Sequence, residues 1–275
     1  MMHNIETNKI YCMDAKEGLN LLPDDYIDLT VTSPPYDDLR TYKGYSFDFE
    51  PIAKELYRVT KLGGVVVWVV GDATVNGSET GTSFRQALYF RDECGFNLHD
   101  TMIYERQPRF PDHKRYNNCF EFMFVFSKGK PKTINRIADK VNLTAGTTRI
   151  GASERNPDGS MREMSMSMKG SRIKNKGVRG NIWKYGTGFN QTTKDKDAYK
   201  HPAIFPEQLA SDHIISWSNE GDLILDPMCG SGTTCKMAMA NNRKYIGIDI
   251  SEEYCEIARK RIADHEQQLT FEAIT

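Results

Sequence analysis

The chain has 275 residues, of which 39% are hydrophobic and 27% charged, with 36 Lys and Arg against 37 Asp and Glu. That mixture builds a packed core and excludes a disordered or low-complexity protein, and a pI near 6.6 leaves no whole-chain field that demands an anionic partner. No apolar run approaches the roughly 18–20 residues of a bilayer span, no basic-then-apolar leader opens the chain, and six cysteines without CxxC spacing point to a reducing, cytoplasmic setting and argue against structural zinc.

Ile10-Tyr11-Cys12 reads as a short strand, and a helical pattern follows Asp14-Ala15 to Leu22. Ile27 to Thr32 reads as a buried strand that runs straight into Ser33-Pro34-Pro35-Tyr36. Two prolines lack N–H groups and fix φ near −65°, so the chain must leave the sheet there. Asp38 to Ser46 is polar and aromatic, as expected of a loop beside the double proline. Ile52, Leu56 and Val59 recur at helical spacing, and Gly63-Gly64 supplies a stop. Val65 to Val70 is a β-branched run suited to a strand covered on both faces. After a polar loop from Asp72 to Thr82, a helix is predicted over Phe84 to Cys94, closed by Gly95. Leu98 to Tyr104 and Phe120 to Ser127 follow as strands. In the second, Phe120, Phe122, Phe124 and Phe126 alternate, which predicts an aromatic core face.

The composition then changes. Between Lys128 and Lys200 there are 17 Lys or Arg against 6 Asp or Glu. The segment from Gly146 to Lys176 shows no clear period, and aromatic residues (Trp183, Tyr185, Phe189, Tyr199) follow it. A solvated charged face is the usual meaning of such a run, but a one-sided excess interleaved with aromatics suits a nucleic-acid surface that orders on binding.

Near the end, strand Leu223-Ile224-Leu225 leads into Asp226-Pro227-Met228-Cys229-Gly230-Ser231-Gly232-Thr233-Thr234, then a helix through Ala240 and a strand Tyr245 to Ile248 ending at Asp249. Ser251 caps a last helix. Gly230 and Gly232 allow a tight turn, and Asp249, about 20 residues on, sits where a carboxylate accepts from ribose hydroxyls. The unit therefore predicts a nucleoside-containing cofactor. Cys235 replaces the third glycine of a dinucleotide fingerprint, and Asp226 adds negative charge that suits a cationic sulfonium or amino group better than a pyrophosphate.

Thr32 to Tyr36 followed late by Asp226 to Thr234 resembles the amino-methylating DNA methyltransferases in their β-type order, catalytic motif first and cofactor motif last. His201-Pro202-Ala203-Ile204-Phe205-Pro206-Glu207 is similar to the segment before that family's cofactor loop, and Asp14-Ala15 to its adenosine-contacting pair. The resemblance implies a Rossmann-like α/β fold with a doubly wound, mostly parallel seven-stranded sheet, an antiparallel edge hairpin and circularly permuted motifs. It makes residues 1–275 one methyltransferase domain, with a basic target-recognition insertion at approximately 105–200. It implies S-adenosyl-L-methionine, held by Asp14, Ala15, His201, Phe205, Pro206, Asp226, Pro227, Cys229, Gly230, Ser231, Gly232, Thr233, Thr234, Asp249 and Ile250. The catalytic residues become Ser33, Pro34, Pro35 and Tyr36. Double-stranded DNA would be met by Arg106, Arg109, Lys114, Arg115, Arg172, Lys174, Lys176, Arg179 and Lys184. The implied setting is a prokaryotic or virus-encoded enzyme on the nucleoid, a homodimer with a cognate restriction endonuclease acting on the same site.

A base amine is a poor nucleophile because its lone pair is delocalised into the ring. Acceptors on its two hydrogens, the Ser33 hydroxyl and the Pro34 carbonyl, aim that lone pair at the methyl group, and Tyr36 stacks on a flipped-out base. Ser at the first motif position favours cytosine N4, whereas Asp or Asn there is usual for adenine N6, the alternative. C5-cytosine chemistry needs a nucleophilic cysteine after a proline, and none of the six cysteines follows one. Asn117-Asn118 and Arg106-Gln107 read as base-edge contacts or as loop caps, and His113 and His201 as structural groups. The rival classes are an RNA or protein-glutamine amine methyltransferase and a non-catalytic DNA-binding module.

Overall fold

The computed structural model describes residues 5–35, 47–107, 113–149, 153–163, 170–188, 190–201 and 203–274. Eight strands form its main sheet: β1 (Lys9–Cys12), β2 (Ile27–Thr32), β3 (Thr60–Val70), β4 (Asn97–Glu105), β5 (Phe120–Ser127), β6 (Ile182–Lys184), β7 (Leu223–Asp226) and β8 (Lys244–Asp249). Their order across the sheet is β1-β8-β7-β2-β3-β5-β4-β6. All the pairings are parallel except those of β5, which runs against β3 and β4. The mostly parallel, doubly wound α/β sheet is as the sequence implied, with eight strands where seven were expected. The additional one is β6, three residues long, which pairs with β4 and so takes the β4–β5 hairpin one place in from the edge.

Among the described residues six α-helices flank the sheet: α1 (Ala15–Asn20), α2 (Phe49–Val59), α3 (Thr82–Asp92), α4 (Glu207–Trp217), α5 (Thr233–Ala240) and α6 (Glu252–Ile274). In α2, Ile52, Leu56 and Val59 are buried as their spacing predicts. Gly63-Gly64 does not stop that helix. The chain enters β3 at Thr60, and the two glycines lie within the strand, Gly63 at φ +83°. A Cβ on Gly64 would sit 2.8 Å from Thr60 Cγ2 and 2.9 Å from Lys61 O, so these are close-approach glycines, beside the register shift between Ile27 and Leu29 of β2.

The core fills between the sheet and α1–α3. Trp68 of β3 is fully buried, donates from Nε1 to Gln86 Oε1 at 2.9 Å, and meets Phe90 edge-on with centroids 5.1 Å apart. Phe90 in turn packs on Phe126 at 4.7 Å. The phenylalanine stripe of β5 is core at Phe124 and Phe126, as expected, but opens toward solvent at Phe120, which is 40% exposed. Among the described residues no helix is long and apolar enough to cross a membrane.

The chain divides into two compact units, one of residues 1–135 with 181–275, the other of 136–180. The smaller unit carries two short antiparallel ladders, Lys140–Val141 with Lys176–Gly177 and Ser153–Arg155 with Met161–Glu163. An ion pair between Arg179 and Asp139 closes its base and holds the Asp139 carboxyl below its usual range. The unit holds ten Lys or Arg against four Asp or Glu, a net +6 that leaves the rest of a −1 chain at −7.

Candidate active site

In an open α/β sheet a ligand crevice forms where successive crossovers depart in opposite directions. Here that point lies between β7 and β2. The chain leaves β7 through α5 toward β8 on one side, and leaves β2 through α2 toward β3 on the other. The two sequence motifs occupy these two strand ends.

They are tied together beneath the surface. Thr32 Oγ1 donates to Asp226 Oδ1 at 2.7 Å, and Thr234 Oγ1 donates to the Val31 carbonyl at 3.0 Å. Met228 N also donates to Asp226 Oδ1, at 3.2 Å. Asp226 is 1% exposed, and this burial pushes its carboxyl from 3.8 up to about 6 against the opposing hydrogen bonds from Thr32 and Met228. The native state therefore holds that proton more tightly than the unfolded chain. Stability from this group is present at pH 4 and is lost as pH rises to about 6, on the order of 3 kcal/mol at 1.36 per unit. Asp226→Asn keeps an oxygen acceptor for Thr32. The difference in unfolding free energy between variant and parent, measured by denaturant titration without cofactor, is expected to grow in the variant's favour from pH 4 to pH 6.5 and then stay flat. A pH-independent difference would refute the assignment.

The turn after β7 is built on left-handed glycines. Gly230 has φ +49°, and Gly232 caps α5 at φ +78°. A Cβ on Gly232 would lie 2.6 Å from Ala258 Cβ of α6, and one on Gly230 would lie 2.9 Å from His201 Nε2. Both positions need glycine for conformation and for space. Asp249, at the end of β8, accepts from Gly230 N at 2.8 Å with one oxygen and from Ser251 N at 2.9 Å with the other. Each oxygen keeps a further lone pair for a ligand hydroxyl. Burial raises its pKa, with those backbone bonds opposing. His201 Nδ1 accepts from Ala203 N at 3.1 Å, which makes Nε2 the protonated nitrogen of the neutral ring, and the ring meets Tyr254 edge-on at 4.3 Å. Asp14 caps α1, accepting from Lys16 N at 2.9 Å and Glu17 N at 3.2 Å.

A cavity of roughly 660 Å³ joins these groups. Asp14, Ala15, His201, Phe205, Pro227, Cys229, Gly230, Ser231, Thr233, Asp249 and Ile250 line it, and Ser33, Pro34 and Pro35 share it. Pro206, Asp226, Gly232 and Thr234 do not line it. Asp226, Gly232 and Thr234 hold the turn from below, and Pro206 precedes α4. Tyr36, Arg109 and the loop from Asp38 to Ser46 lie outside the described residues. Cys229 is buried, and its hydrogen bond with Cys235, together with burial, pushes its thiol well up, the opposite of what a nucleophile needs.

The expected DNA contacts separate. Arg106 lines the cavity. Arg172, Lys174, Lys176 and Arg179 belong to the unit of 136–180. Lys114 and Arg115 are exposed beside β5, Arg115 lying 3.7 Å from Glu79. Lys184 pairs with Glu105 at 2.5 Å in an exposed ion pair.

Sequence reasoning missed Arg261. This α6 side chain is fully buried and donates to five acceptors. Nε meets Asp195 at 2.6 Å and Nη2 meets Glu207 at 2.8 Å, while Nη1 reaches the Ser231 carbonyl, Ser231 Oγ at 3.1 Å and Thr233 Oγ1 at 3.3 Å. It clamps the glycine turn from behind. No local pattern marks it, since its partners come from three separate segments.

Comparisons with known proteins establish the family. A family profile described as DNA methylase matches residues 27–260. An orphan methyltransferase of Bacillus amyloliquefaciens, M.BamHII, is 62% identical over 241 residues, covering 87% of this chain and 89% of that one. A DNA adenine methyltransferase of Escherichia coli, YhdJ, is 27% identical over 94% of this chain and 83% of its own. Among solved structures, the cytosine-N4-specific PvuII DNA methyltransferase superposes with a TM-score of 0.65 at 21% identity, over 92% of this chain and 85% of that one. With a profile match spanning both strand-end motifs and a relative this similar over nearly its whole length, the chain belongs to the N6/N4 DNA methylase family.

Proposed function

We propose that this protein transfers a methyl group from S-adenosylmethionine to the exocyclic N4 amine of a cytosine flipped out of double-stranded DNA. The observation that carries this reading is one cavity shared by Ser33-Pro34-Pro35 and the glycine turn. Its lining fits the cofactor's charge. Asp14, Asp48, Glu121 and Asp249 supply four carboxylates against Lys16 and Arg106, a balance that suits a ligand bearing a sulfonium and an ammonium group. Asp249 offers lone pairs to ribose hydroxyls, and the Asp14-Ala15 helix start faces the same space.

When bound, the cofactor supplies an electrophilic methyl group. The chain's own part is to hold the amine. The Ser33 hydroxyl and the Pro34 carbonyl accept its two hydrogens, localise its lone pair, and stabilise the positive charge that develops on nitrogen. Double proline fixes the carbonyl direction, since neither residue can rotate φ. The basic unit of 136–180 supplies positive charge for the phosphate backbone. Ser33 at the first motif position supports cytosine over adenine. An adenine-N6 reading draws on the Escherichia coli relative and is the alternative.

Mass spectrometry of nucleosides from the DNA of cells expressing the protein is expected to show N4-methylcytosine, and modified-base sequencing of the same DNA to place it at one recognition sequence. N6-methyladenine alone would overturn the base assignment and keep the class. Unmodified DNA with methylated structured RNA would overturn both.

A further inference from the structure

One wall of the cavity is charged and belongs to neither motif. Tyr104 and Arg106, at and just beyond the end of β4, and Glu121, at the start of β5, line it together with Ser33 and Pro34. Because β5 runs against its neighbours, its first residues reach the sheet edge where β2, β3 and β4 end. Tyr104 pairs with Glu121, and Val70 pairs with Phe122. With strands about 4.8 Å apart, β5 lies roughly 10 Å and β4 roughly 15 Å from β2. Arg106, just past the end of that far strand, turns its guanidinium back toward Glu121 of β5, and it and Ser33 line the same cavity.

The guanidinium is placed but not saturated. Its Nε is buried and has no hydrogen-bond partner among the described residues. Glu121 Oε1 lies 3.5 Å away, close enough to balance the charge and outside hydrogen-bond geometry. Its only hydrogen bond from the outer nitrogens to a described side chain is a long one, Nη2 to Asn118 Oδ1 at 3.5 Å. A buried donor without a partner costs about 1–3 kcal/mol. That buried nitrogen fixes the side chain's cost, whereas the outer nitrogens, held among the described residues by no more than the long bond to Asn118, are the donors left for an acceptor on a ligand in this cavity.

Cytosine carries such an acceptor. Its amine and its 2-carbonyl oxygen flank N3, so a ring whose amine is held by Ser33 and Pro34 presents that oxygen on its other side. Adenine has a C–H in the corresponding place, and uracil and thymine have no amine for Ser33. We infer that Arg106 donates to the 2-carbonyl oxygen of the flipped cytosine and thereby selects the base, with Glu121 orienting the guanidinium. This rests on the cytosine reading above. A site built around such a donor discriminates against a base that leaves it unpaired.

The test is a chemical double-mutant cycle on synthetic duplexes carrying the sequence found by modified-base sequencing, with the target base either cytosine or 2-thiocytosine, whose sulfur is a poor acceptor. For the parent enzyme the sulfur substitution is expected to lower kcat/KM about 10- to 100-fold, the worth of a hydrogen bond to a charged group. Arg106→Met is expected to lower kcat/KM on the normal duplex by a similar factor and to show no further loss on the sulfur duplex. Arg106→Lys should fall between, and both variants should bind the cofactor as the parent does, which separates loss of a contact from loss of the fold. Equal sulfur effects in parent and Arg106→Met, or no sulfur effect in the parent, would overturn the role of Arg106 alone. N6-methyladenine as the product would overturn the cytosine reading, and this inference with it.

Discussion

Arg261→Ala is expected to lower stability by about 3–5 kcal/mol, the usual cost of breaking a buried ion pair from one side. For a chain of this size that is a drop in melting temperature of roughly 10 °C. Arg261 is fully buried, and the Asp195 and Glu207 side chains that it bonds are each only 21% exposed. Without the guanidinium, the cation left to both carboxylates among the described residues is Lys236, at 2.8 Å from Glu207 and 3.8 Å from Asp195, and Asp195 also keeps the hydrogen bond from Asp197 N at 3.1 Å. The loss also reaches the glycine turn proposed to hold the cofactor, because Nη1 holds the Ser231 carbonyl and hydroxyl and the Thr233 hydroxyl. Weaker cofactor binding by calorimetry, at a temperature where the variant remains folded, is therefore expected beside the lower melting temperature. Arg261→Met combined with Glu207→Gln removes one of the stranded charges and should recover part of the loss, since the two positions share one network. A melt of Arg261→Ala within ~2 °C of the parent, corresponding to less than about 1 kcal/mol, would show that water or a rearranged Lys236 already satisfies the carboxylates.

What the sequence announced and what it hid follow from the range of the interactions. Strand ends with double proline or paired glycines announce themselves because backbone chemistry is local. A proline cannot join a ladder, and a left-handed turn selects glycine. The periodicity of Ile52, Leu56 and Val59 is likewise local and placed α2 on the correct face. Gly63-Gly64 misled for the same reason, because glycine after a helical pattern signals a stop just as well as it signals close packing inside a strand. The three residues of β6 are too few to carry a period, so the eighth strand was invisible. In the basic unit, Asn156-Pro157-Asp158-Gly159 is a turn signal between Ser153–Arg155 and Met161–Glu163, with Gly159 at φ +85°. The absence of a longer period around it hid that hairpin. The clamp of Arg261 and the cavity wall of Arg106 and Glu121 depend on segments that meet only in the fold. In the sequence Arg106 has a place among nine basic candidates and, with Gln107, an open choice between base-edge contact and loop cap, whereas its place on the cavity wall beside Glu121 is visible only in the fold.

Ser33→Ala is expected to slow methyl transfer about 10²- to 10³-fold, the effect typical of deleting one preorganised group that stabilises transition-state charge. Ser33 is half-buried and follows the last residue of β2, so removing one oxygen opens no large cavity and leaves the double proline to hold the chain. The Thr32–Asp226 hydrogen bond and the Thr234–Val31 hydrogen bond do not involve the Ser33 side chain, so the two strand ends stay joined. Stability and cofactor affinity should accordingly remain near those of the parent, while single-turnover transfer to duplex DNA collapses. The Pro34 carbonyl still holds one of the amine's hydrogens, which is why the loss is large rather than total. Ser33→Asn restores an oxygen acceptor at the same backbone position on a longer arm and should recover part of the rate. Full transfer by Ser33→Ala would remove the hydroxyl from the mechanism and, with it, the main residue-level argument for cytosine. A parallel loss of cofactor affinity would instead make Ser33 a structural partner of the glycine turn. The separation of these outcomes rests on one geometric fact: the serine and the glycine turn line the same cavity, but they are joined through Thr32 and Asp226 beneath it.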